Sequence, residues 1–271
     1  MHFASSRPVR DGERSAAVLH VESHGSGRPL VLLHGFAMHS GLFAPLLPTL
    51  ARRHRVHVVD LPGHGYSPSV EPFDLPTVTA AVDASVDVAD ATVLGWSLGG
   101  QVALQWTAAQ PGKVNKLVLV ATTPSFVVRD DWPFAMAAGT LAQFGDELRA
   151  SYRLTLLRFL SLQVQGSAEG RATLATLRER LSERGEPPQA ALDGALEALR
   201  RTDLRPTLPN VTARTLVIGG DRDALVPLGA TKALAAALPN AAHATIEGAA
   251  HVPFLSHPGR FLDAVLPFID D

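Results

Sequence analysis

The run Gly95-Trp96-Ser97-Leu98-Gly99-Gly100 decides how this chain is read. It follows the apolar stretch Ala91-Thr92-Val93-Leu94 and precedes a segment of helical character, Gln101 to Ala109. A serine with glycines two residues before and after it, set between a strand and a helix, has the arrangement of a nucleophile elbow. Gly95 and Gly99 are expected to let the backbone turn sharply. That turn lifts the Ser97 hydroxyl clear of the sheet and sets it beside the N–H groups of a helix N-terminus. A glycine-rich turn without chemistry would share the pentapeptide, so the partners of a nucleophilic serine must be found elsewhere.

The elbow implies the chain order serine, acid, histidine. The apolar run Thr215-Leu216-Val217-Ile218 empties into Gly219-Gly220-Asp221-Arg222-Asp223-Ala224-Leu225-Val226-Pro227, a loop with two carboxylates. Asp223 is preferred as the acid because it stands just before the apolar-Pro anchor, while Asp221 fits a turn residue. The next strand, about Ala244 to Glu247, leads into Gly248-Ala249-Ala250-His251-Val252-Pro253-Phe254, which makes His251 the expected base among 11 histidines. In this scheme His251 takes the Ser97 proton and returns it to the leaving alcohol, while Asp223 fixes its tautomer. The oxyanion would be held by the N–H of Leu98 and by that of Phe36, in the loop His34-Gly35-Phe36-Ala37 after the strand Leu30 to Leu33. His34 is read as a structural brace. The turn Asp60 to Ser67 is assigned no chemistry.

The remaining apolar runs, including Val56 to Val59 and Leu117 to Val120, are continuous rather than alternating and are separated by alanine-rich helical segments. Such strands are buried on both faces, which predicts an α/β fold with a mostly parallel central sheet flanked by helices. Ala17 to Val21 alternates and fits an antiparallel edge strand. Between Thr123-Pro124 and Pro206 no strand is evident. Helices are expected over Leu141 to Phe159, Arg171 to Arg184 and Gln189 to Arg200. The chain therefore divides into a core, residues 1–124 and 206–271, and an inserted helical lid, 125–205, over the carboxyl ends of the strands. Residues 1–14 read as a flexible extension.

The chain has 271 residues, 46% of them hydrophobic and 18% charged, enough for one large core. It has no cysteine, which excludes disulfides, thiolate metal sites and a cysteine nucleophile. No metal or cofactor is called for by this chemistry. The net charge of −2 gives no reason to expect nucleic-acid binding. No apolar run reaches the ~18 residues of a membrane span, and the first residues lack an apolar leader, so a cytoplasmic monomer is expected.

Beyond the elbow, the chain resembles the α/β-hydrolase superfamily over nearly its whole length, and more narrowly the pimeloyl-[acyl-carrier protein] methyl ester esterases of biotin synthesis. The closer resemblance rests on Gly95 to Gly100, Arg129-Asp130-Asp131-Trp132-Pro133, Arg158-Phe159-Leu160-Ser161-Leu162-Gln163, Thr202-Asp203-Leu204-Arg205 and Ala249 to Pro258. It implies a substrate, the methyl ester of a pimeloyl chain on acyl-carrier protein, hydrolysed to the carboxylate and methanol. It also implies that Phe36, Leu98 and the segment Phe159, Leu160, Ser161, Leu162 and Gln163 line the acyl pocket beside Ser97 and His251. Phe36 stands where this family often has tryptophan.

A carrier-protein partner has a separate argument in charge. From Arg149 to Arg180 there are six arginines, Arg149, Arg153, Arg158, Arg171, Arg178 and Arg180, against Glu169 and Glu179. Such a patch steers an acidic partner, and Arg149, Arg153, Arg158 and Arg171 are the expected docking residues. Two other classes share these features: a different serine hydrolase of the same fold, such as an enol-lactonase or carbon–carbon bond hydrolase, and a non-catalytic binding protein.

Overall fold

The computed structural model describes residues 17–271. The extension expected over residues 1–14 lies outside them. Seven strands, β1 (Val21–His24), β2 (Arg28–Leu33), β3 (His54–Val59), β4 (Ala91–Trp96), β5 (Val114–Val120), β6 (Arg214–Gly220) and β7 (Ala241–Ile246), form one sheet in the order β1-β3-β2-β4-β5-β6-β7. Only β1 runs antiparallel, against β3.

Ten helices accompany the described strands: α1 (Leu47–Leu50), α2 (Leu75–Ser85), α3 (Leu98–Ala109), α4 (Ala138–Ala150), α5 (Tyr152–Leu162), α6 (Gly170–Glu183), α7 (Gln189–Arg201), α8 (Leu228–Ala237), α9 (Pro253–Ser256) and α10 (Pro258–Asp270). The strand period of two divides the core. Val31 and Leu33 pack with Val78 and Val82 of α2, Val102 of α3 and Leu234 of α8. Leu30 and Leu32 pack on the opposite face with Leu50 of α1 and with Phe261 and Val265 of α10. Every residue of β4 is buried, because helices cover both of its faces.

The insertion consists of α4 to α7, between β5 and β6. Since β5 is parallel to its neighbours, its carboxyl end delivers the insertion to the edge where β2, β4, β6 and β7 also end. Among the described residues no helix is long and apolar enough to cross a membrane.

Several element boundaries differ from expectation, three of them for a physical reason. The edge strand starts at Val21, where pairing with Val59 begins; before it, the N–H groups of Leu19 and His20 go to the hydroxyls of Ser85 and Ser67. The helix expected over Leu141 to Phe159 is two helices broken at Ser151, whose φ of −149° and ψ of 61° are not helical. The apolar period carries across the break because both helices bury leucines, Leu148 in α4 and Leu156 in α5. The last strand begins at Ala241, three residues before the expected Ala244, where pairing with Thr215 starts; it lies at the sheet edge and is only partly buried, so its first residues carry little apolar signal.

Candidate active site

Ser97 stands between the last residue of β4 and the first of α3, with φ 55° and ψ −118°. The sharp turn is therefore made by the serine itself, in a region that non-glycine residues rarely occupy. The glycines beside it act by close approach. A Cβ on Gly95 would lie 2.3 Å from the Gly99 carbonyl oxygen, and one on Gly99 2.3 Å from that of Leu33. These contacts let α3 sit directly on the sheet and hold the elbow in place. Thr122 Oγ1 donates to the Ser97 carbonyl at 2.7 Å.

The loops after β4, β6 and β7 bring together Ser97, Asp223 and His251. Ser97 Oγ lies 3.0 Å from His251 Nε2, and His251 Nδ1 lies 2.8 Å from Asp223 Oδ2. The Asp223 and His251 side chains are 0% and 2% exposed. Asp223 Oδ1 accepts from the N–H groups of Leu225 and Val226, both at 2.9 Å, which orients the carboxylate. A neutral imidazole that donates from Nδ1 to Asp223 has Nε2 free to accept from the serine hydroxyl. Asp221 is engaged elsewhere, accepting from the N–H of Gly248 at 2.6 Å. It ties the β6 loop to the loop that carries His251.

Phe36 and Leu98 are buried at this junction. Leu98 opens α3, so its N–H has no acceptor within the helix. Gly35 packs against Ser97, where a Cβ would come within 3.1 Å of Ser97 Cβ. His34 braces the loop, with Nδ1 donating to the Gly35 carbonyl and Nε2 accepting from the Leu61 N–H, each at 2.8 Å. Burial, with His64 nearby, pushes the His34 pKa down to about 3, so the brace is uncharged at neutral pH.

Above Ser97 and His251 lies a cavity of about 100 Å³, walled by apolar side chains of the insertion and core. Phe36, Phe144 and Phe159 pack as an aromatic triangle, with centroids 5.4 to 6.1 Å apart. Of the expected lining segment, Phe159 and Leu162 reach the cavity. Leu160 is buried in the opposite core layer, Ser161 is exposed, and Leu98 and Gln163 are buried away from the wall. The helical period turns these successive residues to different sides. The walls that sequence reading missed include Leu141 on α4, Leu196 and Leu199 on α7, and Leu225 just beyond Asp223. Leu141 with Phe144, and Leu196 with Leu199, show the three-residue apolar spacing that could have marked them.

The arginine patch is largely neutralised. Arg149 pairs with Asp146 and Asp193, Arg153 with Glu186, Arg158 with Glu147 at 4.0 Å, and Arg180 with Glu183. Four of these acids lie just outside the window that gave the excess, and Asp193 reaches back from α7. Arg171 and Arg178 have no ion pair among the described residues, and both are exposed on α6.

The sheet, the elbow and the insertion define a hydrolase of the α/β class. A family model described as the alpha/beta hydrolase fold matches residues 28–258. The chain is 46% identical over 252 residues to a Xanthomonas campestris protein named pimeloyl-[acyl-carrier protein] methyl ester esterase, covering 93% of this chain and 98% of that one. A Stenotrophomonas maltophilia protein of the same name is 44% identical, with 93% and 96% covered. The chain belongs to this esterase family within the α/β hydrolases. Among solved structures, an esterase from Exiguobacterium antarcticum superposes with a TM-score of 0.87 at 23% identity, covering 94% of this chain and 98% of that one, a likeness of fold.

Proposed function

We propose that this enzyme hydrolyses the methyl ester of pimeloyl-[acyl-carrier protein] to the free carboxylate and methanol. The continuous hydrogen-bonded chain from Asp223 through His251 to Ser97, opening into an apolar cavity, is the observation that carries the chemistry. The substrate comes from the named relatives, and the cavity suits a methylene chain because its walls hold no charged side chain.

In this reading Ser97 Oγ attacks the ester carbonyl as His251 Nε2 takes its proton, and the buried Asp223 carboxylate stabilises the imidazolium. The N–H groups of Leu98 and Phe36 receive the oxyanion. Collapse of the tetrahedral intermediate expels methanol with the proton from His251. Water, activated by the same histidine, then releases the pimeloyl carboxylate and restores Ser97.

Residues 125–205 act as the lid that closes the chamber. The carrier protein stays outside, docking on the basic lid face centred on Arg171 and Arg178. The decisive experiment is complementation of a biotin-requiring strain that lacks its pimeloyl-ester esterase, paired with mass-spectrometric conversion of the purified carrier-linked ester. Growth and conversion are expected with the wild-type chain and absent with Ser97→Ala. Wild-type failure in both would overturn the substrate assignment.

A further inference from the structure

The residue between Gly95 and Ser97 is one of three tryptophans in the chain, and it is 1% exposed. Its indole Nε1 donates to the backbone carbonyl of His251 at 2.8 Å. The indole and imidazole ring centroids are 5.6 Å apart. Another part of the same ring faces the loop after β2, where a Cβ on Gly35 would lie 2.9 Å from both Trp96 Cε3 and Cζ3. Phe254 meets the indole edge-on at 5.5 Å and is itself packed against Phe43 and Phe261. One rigid side chain, adjacent in sequence to the nucleophile, therefore touches the loop of the base and the loop of the oxyanion donor.

We infer that Trp96 is a positioning residue whose indole sets His251 and the Gly35-Phe36 loop at their working distances from Ser97. The inference rests on the reading of Ser97 and His251 as nucleophile and base. The His251 peptide is held from two directions: its carbonyl by Trp96 of the core, and its N–H by the Gln163 carbonyl, just past α5 of the insertion, at 3.0 Å. Loss of the indole N–H removes the tie from the His251 carbonyl to the core while its N–H stays bonded to the insertion, so the backbone that carries the imidazole can shift relative to Ser97. A displacement of the base by about 1 Å costs on the order of 10²-fold in rate.

The test replaces Trp96 by benzothienylalanine, an isostere whose ring sulfur stands in place of the N–H, with Trp96→Phe as a second variant. Active sites are counted by fluorophosphonate labelling of Ser97, and kcat is expressed per labelled site with a small soluble ester. We expect kcat to fall about ten- to a hundredfold in both variants, KM to stay within about twofold, and the labelling rate to slow in step with kcat. Val265→Ala, a core truncation on α10 outside the cavity wall, should lower Tm yet leave kcat per site unchanged. A kcat per site within twofold of wild type in both Trp96 variants overturns the inference. Equal labelling of a Ser97→Ala protein would instead sink the underlying assignment of the nucleophile, so the two failures are distinguishable.

Discussion

Arg184 Nη1 lies 3.1 Å from Asp60 Oδ2, joining the chain just past α6 to the turn after β3. Asp60 is completely buried and also accepts from the N–H groups of Ser40 and Tyr66, at 2.7 and 2.9 Å. Burial alone would raise its pKa, but the neighbouring His34 and these donors outweigh that and hold it well below the usual carboxylate range. Arg184 also reaches Glu22 at 2.6 Å and lies over the Tyr66 ring. The helical insertion is thus bolted to the core at the end of α6.

Removing one partner of a buried ion pair leaves the other charge uncompensated, at about 3–5 kcal/mol. Arg184→Met should therefore lower stability by roughly that amount in urea unfolding, and Asp60→Asn in the same background should add little. A loss below about 1 kcal/mol would place the pair with ordinary surface bridges and refute the bolt.

Ser97→Ala and His251→Ala should each lower ester hydrolysis by roughly 10⁴-fold or more with folding intact, because such groups act as a unit. Asp223→Asn should also be severe, since an amide that turns its NH₂ toward Nδ1 favours the wrong tautomer. Asp221→Asn should be mild, because an amide oxygen can still accept from Gly248. Initial rates on a p-nitrophenyl ester rank the four. A larger loss at Asp221 than at Asp223 would reverse the assignment of the acid.

Buried His34 and His64 make stability depend on pH in the acid range. Burial is the leading cause in both, pushing His34 to about 3 and His64 to about 4, against about 6.5 in the unfolded chain. Between these values the unfolded state binds more protons, so the contribution is complete above about pH 6.5 and is lost as pH falls toward the folded values. Each histidine contributes a slope of up to about 1.4 kcal/mol per pH unit in that window. Urea midpoints from pH 7 to pH 4.5 should fall accordingly, and a flat series would show that neither histidine is buried uncharged.

The sheet and its edge were legible because continuous apolar runs such as Val93-Leu94 can hardly be anything but buried strands, and in a parallel sheet the loops that follow them must meet at one end. That rule brings the loops of Ser97, Asp223 and His251 together, and the apolar-Pro anchor after Asp223 separated it from Asp221. The chamber walls were less legible: residues of α4, α5 and α7 meet only through tertiary packing, and an apolar residue facing a cavity looks like one facing a core. Trp96 and Asp60 escaped because Trp96 acts on the His251 backbone, and Asp60 on the backbone of Ser40 and Tyr66 and on Arg184, 124 residues away, which no local side-chain pattern records.

The aromatic triangle should set acyl-chain preference. Each methylene buried in the chamber contributes about 0.8 kcal/mol, so kcat/KM should rise about fourfold per carbon until the space is filled. Phe144→Ala should move the optimum to longer chains, read from a series of p-nitrophenyl esters. An optimum that stays where it was would mean that chain length is sensed elsewhere.

Carrier recognition should depend on the unpaired arginines rather than on the whole basic stretch. Arg171 and Arg178 are seven residues apart on α6, two turns, and so share one face. Charge reversal at both should lower kcat/KM for the carrier-linked ester by about tenfold at low salt while leaving a small soluble ester nearly unchanged, because in the docking proposal only the carrier meets the outer face of the insertion. Arg153→Glu should do less, since Arg153 is already paired with Glu186 at 3.0 Å. Raising ionic strength from about 0.01 M to about 0.15 M shortens the Debye length from roughly 30 Å to roughly 8 Å. Steering should then fade in wild type and change little in the reversed variant. Measuring both substrates at both salt levels separates docking from folding. If the two substrates lose activity in parallel on charge reversal, Arg171 and Arg178 support the lid itself and the docking proposal fails.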